Sequence, residues 1–290
     1  MADTATSGRP EILHEPIDAS RFGVVEKPLS RFETFYNSSL LRKGTIILVL
    51  MVAWQIGAQA LHNDLLLPSF AQTMRALVRA LISGELETKI WISLKVLLTG
   101  YGLGVLLAAV LTGLGVATRI GSDLLETLTA MFNPLPAIAL LPIALIWFGL
   151  GDASLVFVLV HSVVWAVSLN TQSGFLAVSN TLRMAGRNYG LRGFAYIRKI
   201  LIPAAFPSIL TGLKVGWAFA WRTEIASELV FGVSSGSGGL GWYIYEYKNL
   251  LEISKVFAGL LTIIIIGLIV ENLVFRTIER HTVRKWGMQA

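Results

Sequence analysis

Along most of this chain the apolar residues come in long runs rather than in alternation. A helix needs about 20 such residues to cross the hydrocarbon core of a bilayer. Six stretches meet that requirement, at roughly 44–62, 90–117, 124–149, 153–175, 207–231 and 255–276. A seventh, AQTMRALVRALISG at 71–84, has apolar positions at helical spacing but is short and carries Arg75 and Arg79. It reads as an amphipathic helix lying on the membrane surface. Before Gly44 there is no apolar core, and Asp3, Glu11 and Glu15 open the chain, so no signal peptide is expected. The pattern predicts an all-α polytopic membrane protein with six transmembrane helices. Its parts would be a tail (1–36), a first span with the amphipathic segment (37–89), a membrane core (90–276) and a second tail (277–290).

Composition agrees. Hydrophobic residues make up 54% of the 290 and charged residues 14%, against about 25% charged in a soluble domain. The net charge of +6 sits between apolar runs, which fits membrane orientation and not nucleic acid. Residues 1–43, the 118–123 and 176–206 loops and residues 276–290 hold 16 Lys and Arg, while the loops 63–89, 150–152 and 232–254 hold 4. Both termini and the 176–206 loop are therefore expected in the cytoplasm. The loop FGVSSGSGGLGWYIYEY (231–247) would face the other side, with Trp242, Tyr243 and Tyr245 at the interface. No cysteine is present, which excludes disulfides and thiolate metal sites. One half of the chain does not repeat in the other, unlike many secondary transporters.

The 176–206 loop contains RNYGLRGFAYIRKILIP, Arg187 to Pro203. Residues 176–189 are helix-compatible, with Asn180 and Thr181 as candidate caps. Gly190 permits a sharp turn. A second short helix over 191–202 is expected to pack Leu191, Phe194, Ile197 and Leu201, with Arg187 and Arg192 outward, and Pro203 to stop or redirect the chain. Composition alone allows a basic connector that only fixes topology.

The spacing of Gly190, nine residues, then Ile200-Leu201-Ile202-Pro203 resembles the "EAA" signature of permease subunits of ATP-binding-cassette importers. Met184-Ala185-Gly186 stand where that family has Glu-Ala-Ala, so only Ala185 is kept. A second block, NPLPAIALLPIALIWFGLGDAS (133–154), resembles the third span of the nitrate, sulfonate, taurine and hydrogencarbonate permeases through Pro134, Pro136, Pro142, Trp147, Phe148, Gly149 and Gly151. A third block near LPAAFPSILTGLKVGWAFAWR, with Glu228 beyond, follows the same branch. The resemblance implies the type I importer fold in a bacterial inner membrane. It implies a second permease subunit, most simply identical, two ATPase subunits and a periplasmic solute-binding protein. Ala185, Arg187, Gly190, Leu191, Arg192, Ile200 and Pro203 would form the coupling helix that docks on the ATPase. ATP and Mg would be bound there and no cofactor by this chain, which lacks a Gly-x-x-x-x-Gly-Lys-Ser/Thr loop. The implied function is import by alternating access of a small solute, most simply an anion.

Candidate pathway residues follow from cost. Prolines inside a span free carbonyls that lipid cannot satisfy, so Asn133, Pro134, Pro136 and Pro142 are expected at a kink where protein or water lines the third span. In the fifth span Lys214, Trp217, Trp221, Glu224 and Glu228 fall on one helical stripe. Charged residues at membrane depth face a cavity or a partner. The stripe, with Arg222 at its flank, is therefore expected to border a route between two permease subunits, unless Lys214 and Glu228 only snorkel and Arg222 only pairs internally. Two carboxylates on that stripe sit awkwardly with an anionic solute. His161, in the fourth span, is a pathway candidate or a packing residue. No nucleophile–base set appears, so no enzyme activity is expected. The rival readings are an ion-gradient transporter using Glu224, Glu228 and His161 as a proton relay, and a membrane enzyme or signalling subunit.

Overall fold

The computed structural model describes residues 36–231 and 238–285. The expected N-terminal tail up to residue 35, residues 232–237 of the expected outer loop and residues 286–290 lie outside the described residues. Every element among the described residues is helical.

Helix α1 (Ser39–Leu61) shows its apolar side chains almost all round, with Leu48 and Leu50 more than 60% exposed. A surface this apolar is a lipid-facing or partner-facing surface. The chain divides into two compact units at Val52 and Ala53. Everything that follows concerns the second.

Helix α2 (Phe70–Ile82) is the amphipathic segment. The Ser69 hydroxyl accepts from the Gln72 N–H, and the Gln72 side chain accepts from the Ser69 N–H, so two orphan donors of the first turn are satisfied reciprocally. Thr73, Leu77 and Ala80 recur at helical spacing and are buried. The apolar face is thus turned onto protein.

The centre of the fold is α3 (Glu85–Ala117), α6 (Asp152–Ala177) and α9 (Ile202–Phe231). Helix α6 packs along both of the others. Its buried residues, among them Val158, Leu159, Val163, Val164 and Val167, lie on several sides of the helix, as a central helix requires.

The third predicted span needs correction. It is not one kinked helix over 124–149. Helix α4 (Arg119–Phe132) ends before Asn133, and a 3₁₀ turn (Ala137–Leu140) leads into α5 (Leu141–Phe148) at an angle of 88° to α4. Pro134 and Pro136 lie in the break, where the chain is not helical. Pro142 stands in the first turn of α5, where no intrahelical N–H is lost, and does not kink it. Five described helices are long and apolar enough to cross a membrane, and the bent pair makes a sixth span when its two arms are taken together.

After α6 come α7 (Asn180–Asn188) and α8 (Gly193–Tyr196), then a π-helical turn (Ile197–Leu201) that runs directly into α9. Pro203 therefore does not stop the chain. A proline clashes with the carbonyl four residues back. Here the wider turn takes up the mismatch, with the Ile202 N–H reaching Ile197. Helix α10 (Leu240–Asn249) precedes α11 (Ile253–Ile269). Helix α11 continues through a π turn (Val270–Phe275), α12 (Arg276–Glu279) and a second π turn (Arg280–Arg284). The predicted tail from 277 is therefore helical as far as Arg284. Phe275 and Val283 bury against Leu210 of α9, and Lys214 Nζ lies 2.8 Å from Glu279 Oε2.

Candidate functional sites

The hairpin of α7 and α8 is built by local chemistry. The cap of α7 is Ser179, whose hydroxyl accepts from the Leu182 N–H, and not Asn180 or Thr181. Arg183 donates to the Val178 and Phe175 carbonyls at the end of α6, so it caps that helix. Gly190 has φ +72°, the left-handed turn expected of it, and its N–H donates to the Arg187 carbonyl. The Leu191 N–H donates to the Gly186 carbonyl. Ala185, Leu191, Ile200 and Pro203 are half-buried and Leu201 is fully buried. Phe194 does not pack as expected: it is 75% exposed, because Gly193 (φ +54°) turns the chain once more before α8. With Met184, Tyr189, Arg187 and Arg192 also exposed, the tip presents large apolar groups between arginines.

The stripe on α9 is placed differently from the expectation. Trp221, Glu224 and Glu228 are buried within this one chain, Glu224 completely. Trp217 packs edge-on against Tyr101 and Phe275, with centroids 5.4 and 6.4 Å apart. The stripe is thus packed into the core of this chain. The reason is that α3, α10 and α11 fold back over that face of α9. The carboxylate of Glu228 accepts the Ser93 hydroxyl at 2.9 Å and the Gly241 N–H at 2.7 Å. Ser93 Oγ in turn accepts the Leu240 N–H at 2.8 Å. This buckle fastens the first turn of α10 to α3 and α9, with a carboxylate at a helix N-terminus. The chain must come very close here. A Cβ on Gly239 would stand 2.1 Å from both Glu228 Oε1 and Ser93 Oγ, so a side chain has no room. Further along α10, Tyr247 donates to the Glu85 carboxylate, and burial pushes the phenols of Tyr243 and Tyr247 above their ordinary range.

Four of the other pathway candidates do come together. Asn133, Pro134 and Pro136 in the break, with His161 on α6, line a cavity of about 240 Å³. Ala137, Ser162, Trp165, Phe219 and Thr223 are also in its walls. Phe132 stacks on the Trp165 indole at 5.5 Å and meets the His161 ring edge-on. Both ring nitrogens of His161 and the indole nitrogen of Trp165 lack a hydrogen-bond partner. Arg222 is exposed, donates to the Ala218 carbonyl and lies over the Phe219 ring, 5.1 Å from its centroid. Among the described residues no group of three His, Asp or Glu stands close enough to hold a metal ion.

Residues 100–286 match the family of binding-protein-dependent transport system inner membrane components. The chain belongs to that family. It is similar to the taurine transport system permease of Escherichia coli K12, at 30% identity over 88% of this chain and 90% of the relative. It is similar also to the nitrate import permease of Synechocystis, at 28% identity over 82% and 88% of the two chains. A third relative, at 27% identity over 84% and 87%, is a Bacillus subtilis permease named provisionally for aliphatic sulfonates. This is a multi-pass ABC importer permease of the taurine, nitrate and sulfonate branch.

In this permease the residues that the sequence did not announce are Ser93, Gly186, Phe219 and Thr223. Ser93 is a lone serine in an apolar run, and nothing nearby marks it. Gly186 replaces the expected Ala of the motif, and a Cβ there would stand 2.9 Å from Ile200 Cγ1, which explains how α7 lies against the π turn. Phe219 and Thr223 stand one helical turn apart on α9, on the face roughly opposite the stripe that drew attention.

Proposed function

We propose that this permease carries a small oxyanion, of the taurine, sulfonate, nitrate or hydrogencarbonate kind, across the inner membrane on the power of ATP hydrolysed by a partner. Two copies of the chain would assemble with two ATPase subunits and receive solute from a periplasmic binding protein. Both termini and the α7–α8 hairpin would face the cytoplasm. ATP and Mg would be held by the ATPase, and this chain supplies the coupling surface. The observation that carries the reading is the hairpin tip. A segment that exposes Met184, Tyr189 and Phe194 along with Arg187 and Arg192 has the composition of an interface core and not of a solvated loop. The positive residues around it suit the cytoplasmic side.

Alternating access requires two states of the membrane domain whose balance ATP shifts through contacts that differ between them. Closure of the ATPase dimer would move the hairpin, and α9, continuous with it, would carry the movement to the cavity. The proton-relay alternative loses support from the placement of its residues. Glu228 is engaged by Ser93 and Gly241, whereas His161 lines a separate cavity beside the broken span.

Single cysteines at 187, 189 and 192, introduced into this cysteine-free chain, test the docking. In the assembled transporter they should cross-link to the ATPase, and the yield should change when ATP is added. No cross-link to the ATPase from any of the three positions, with or without ATP, would overturn the reading.

A further inference from the structure

Beside the hairpin lies a groove of about 950 Å³. One wall is the last turns of α3, through Ala109, Val110, Gly113, Leu114 and Ala117. The other is the hairpin and the π turn, through Arg183, Arg187, Leu191, Arg192, Phe194 and Ile197. Met184 and Tyr189, both exposed, do not line it. Arg183 and Arg187 stand one helical turn apart on the groove side of α7, and Met184 lies about 100° round the helix from Arg183. The hairpin thus presents a groove side as well as a tip.

The α3 wall continues an apolar strip. Leu103, Leu106, Val110 and Leu114 recur on one face of α3 and are exposed, the last two by more than half. The face through Gly104, Ala108 and Thr112 is buried instead. Helix α3 is long and apolar enough to cross a membrane, so an exposed strip along it is a surface for acyl chains. The strip runs into the groove at Val110 and Leu114. There α3 ends at Ala117, and the polar Thr118 and Arg119 follow, which is the depth of lipid headgroups.

At that depth the groove carries charge of one sign. Arg183 is fixed by its bonds to the Val178 and Phe175 carbonyls. Arg187 and Arg192 are exposed, and among the described residues neither has a carboxylate partner. Residues 176–203 contain no Asp or Glu, and the acids of α4, Asp123 and Glu126, do not line the groove. Guanidinium groups bind phosphate oxygens in pairs, and basic pockets between membrane helices suit anionic headgroups. The volume corresponds to roughly 30 water-sized groups, far more than a free phosphate needs. Gly113 leaves room on the apolar wall: a Cβ there would meet nothing within 4 Å.

We infer that this groove seats an anionic phospholipid of the bilayer, with its phosphate on Arg187 and Arg192 and an acyl chain along Val110, Gly113 and Leu114. The lipid ties the hairpin to α3, so the stiffness of the coupling element depends on the lipid composition of the leaflet around it. The inference rests on the coupling reading of the hairpin for its biological meaning but not for its binding test.

The test uses the delipidated permease–ATPase complex, titrated with phosphatidylglycerol and, separately, with phosphatidylcholine. Bound lipid is counted by native mass spectrometry. The wild type should bind phosphatidylglycerol saturably and more tightly than phosphatidylcholine. Arg187→Gln and Arg192→Gln should each weaken phosphatidylglycerol about 5-fold. Arg280→Gln, at an exposed arginine outside the groove, should leave that affinity unchanged. Gly113→Phe fills the groove without touching an arginine and should also weaken phosphatidylglycerol, which decides the matter even where an arginine variant loses the ATPase. Equal affinity for the two lipids, or an equal loss in Arg280→Gln, would mean diffuse attraction and would overturn the site. Unchanged affinity in Gly113→Phe would take the acyl chain off α3 and overturn it too. Displacement of the lipid by inorganic phosphate would make this a site for a soluble anion. Binding to the permease alone and not to the complex would mean that the ATPase covers the groove. Either result would overturn the lipid assignment. Absence of ATP-driven uptake in proteoliposomes would defeat the import reading alone, and the lipid titration would still decide the groove.

Discussion

Replacing Glu228 by alanine should be among the most damaging single changes outside the hairpin. The carboxylate is 3% exposed and its partner Ser93 is fully buried. Its loss strands two donors, the Ser93 hydroxyl and the Gly241 N–H, which now reach it at 2.9 and 2.7 Å. A buried donor left unpaired costs about 1–3 kcal/mol, so the sum is about 2–6 kcal/mol before the void is counted. Ser93→Ala strands the Leu240 N–H and takes one donor from Glu228, which keeps Gly241, and should cost about 1–3 kcal/mol. The two changes share one network, so they should not add, with a coupling of about 0.5–3 kcal/mol in a double-mutant cycle. For a chain of this size each kcal/mol moves the midpoint by about 2–4 °C, so the assay is thermal unfolding of the purified permease, with Glu228→Gln as the shape-preserving control. A midpoint for Glu228→Ala within 1–2 °C of wild type, marked on the same scale, would refute the reasoning. So would strict additivity with Ser93→Ala.

Gly190→Pro demands φ near −65° where the chain has +72°, so it should leave insertion intact but separate ATP hydrolysis from uptake in proteoliposomes. The phenols of Tyr243 and Tyr247 are held above their ordinary value, first by burial and for Tyr247 also by its bond to Glu85. Their contribution is therefore complete below the unfolded value of about 10 and is lost as pH rises through the folded one, so the unfolding midpoint should fall at alkaline pH. Tyr247→Phe should flatten that fall. Lys214→Ala removes the clip to Glu279, a partly exposed pair worth about 0–1 kcal/mol. Global stability should barely change, while amide exchange over 276–285 should speed up.

Much of the fold is written in hydrophobic run length, because a bilayer fixes how long an apolar helix must be. The amphipathic α2 and the turn at Gly190 were legible for the same kind of reason: helical period in one case, a permitted left-handed φ in the other. The break at 133–136 was half legible. Two prolines mark a disruption, but run length cannot tell a kink from an 88° turn. The stripe on α9 shows where the reasoning stops. Spacing identifies a face of a helix, and cost says that the face avoids lipid, yet neither says which neighbour covers it. Here the neighbour is α10, and Phe219 and Thr223, which line the cavity, fall on the roughly opposite face. Phe194 and Pro203 failed because both were judged alone, whereas Gly193 and the π turn decide their setting.

From Gly193 to Val230 the chain is one helical run of 38 residues, about 57 Å long at 1.5 Å per residue. Its near end carries the hairpin, its middle forms a wall of the cavity, and its far end holds the buckle at Glu228. A rod of this kind has little axial compliance, so a displacement imposed at one end arrives at the other without intermediate messengers. A soft joint on it is the π turn at Ile197–Leu201, next to the hairpin. Shifting a single hydrogen-bond register there would lengthen or shorten the linkage by about one residue, 1.5 Å. The gear ratio of such a machine would be set by backbone geometry, and the side chains along the rod would be free to adapt to different cargoes.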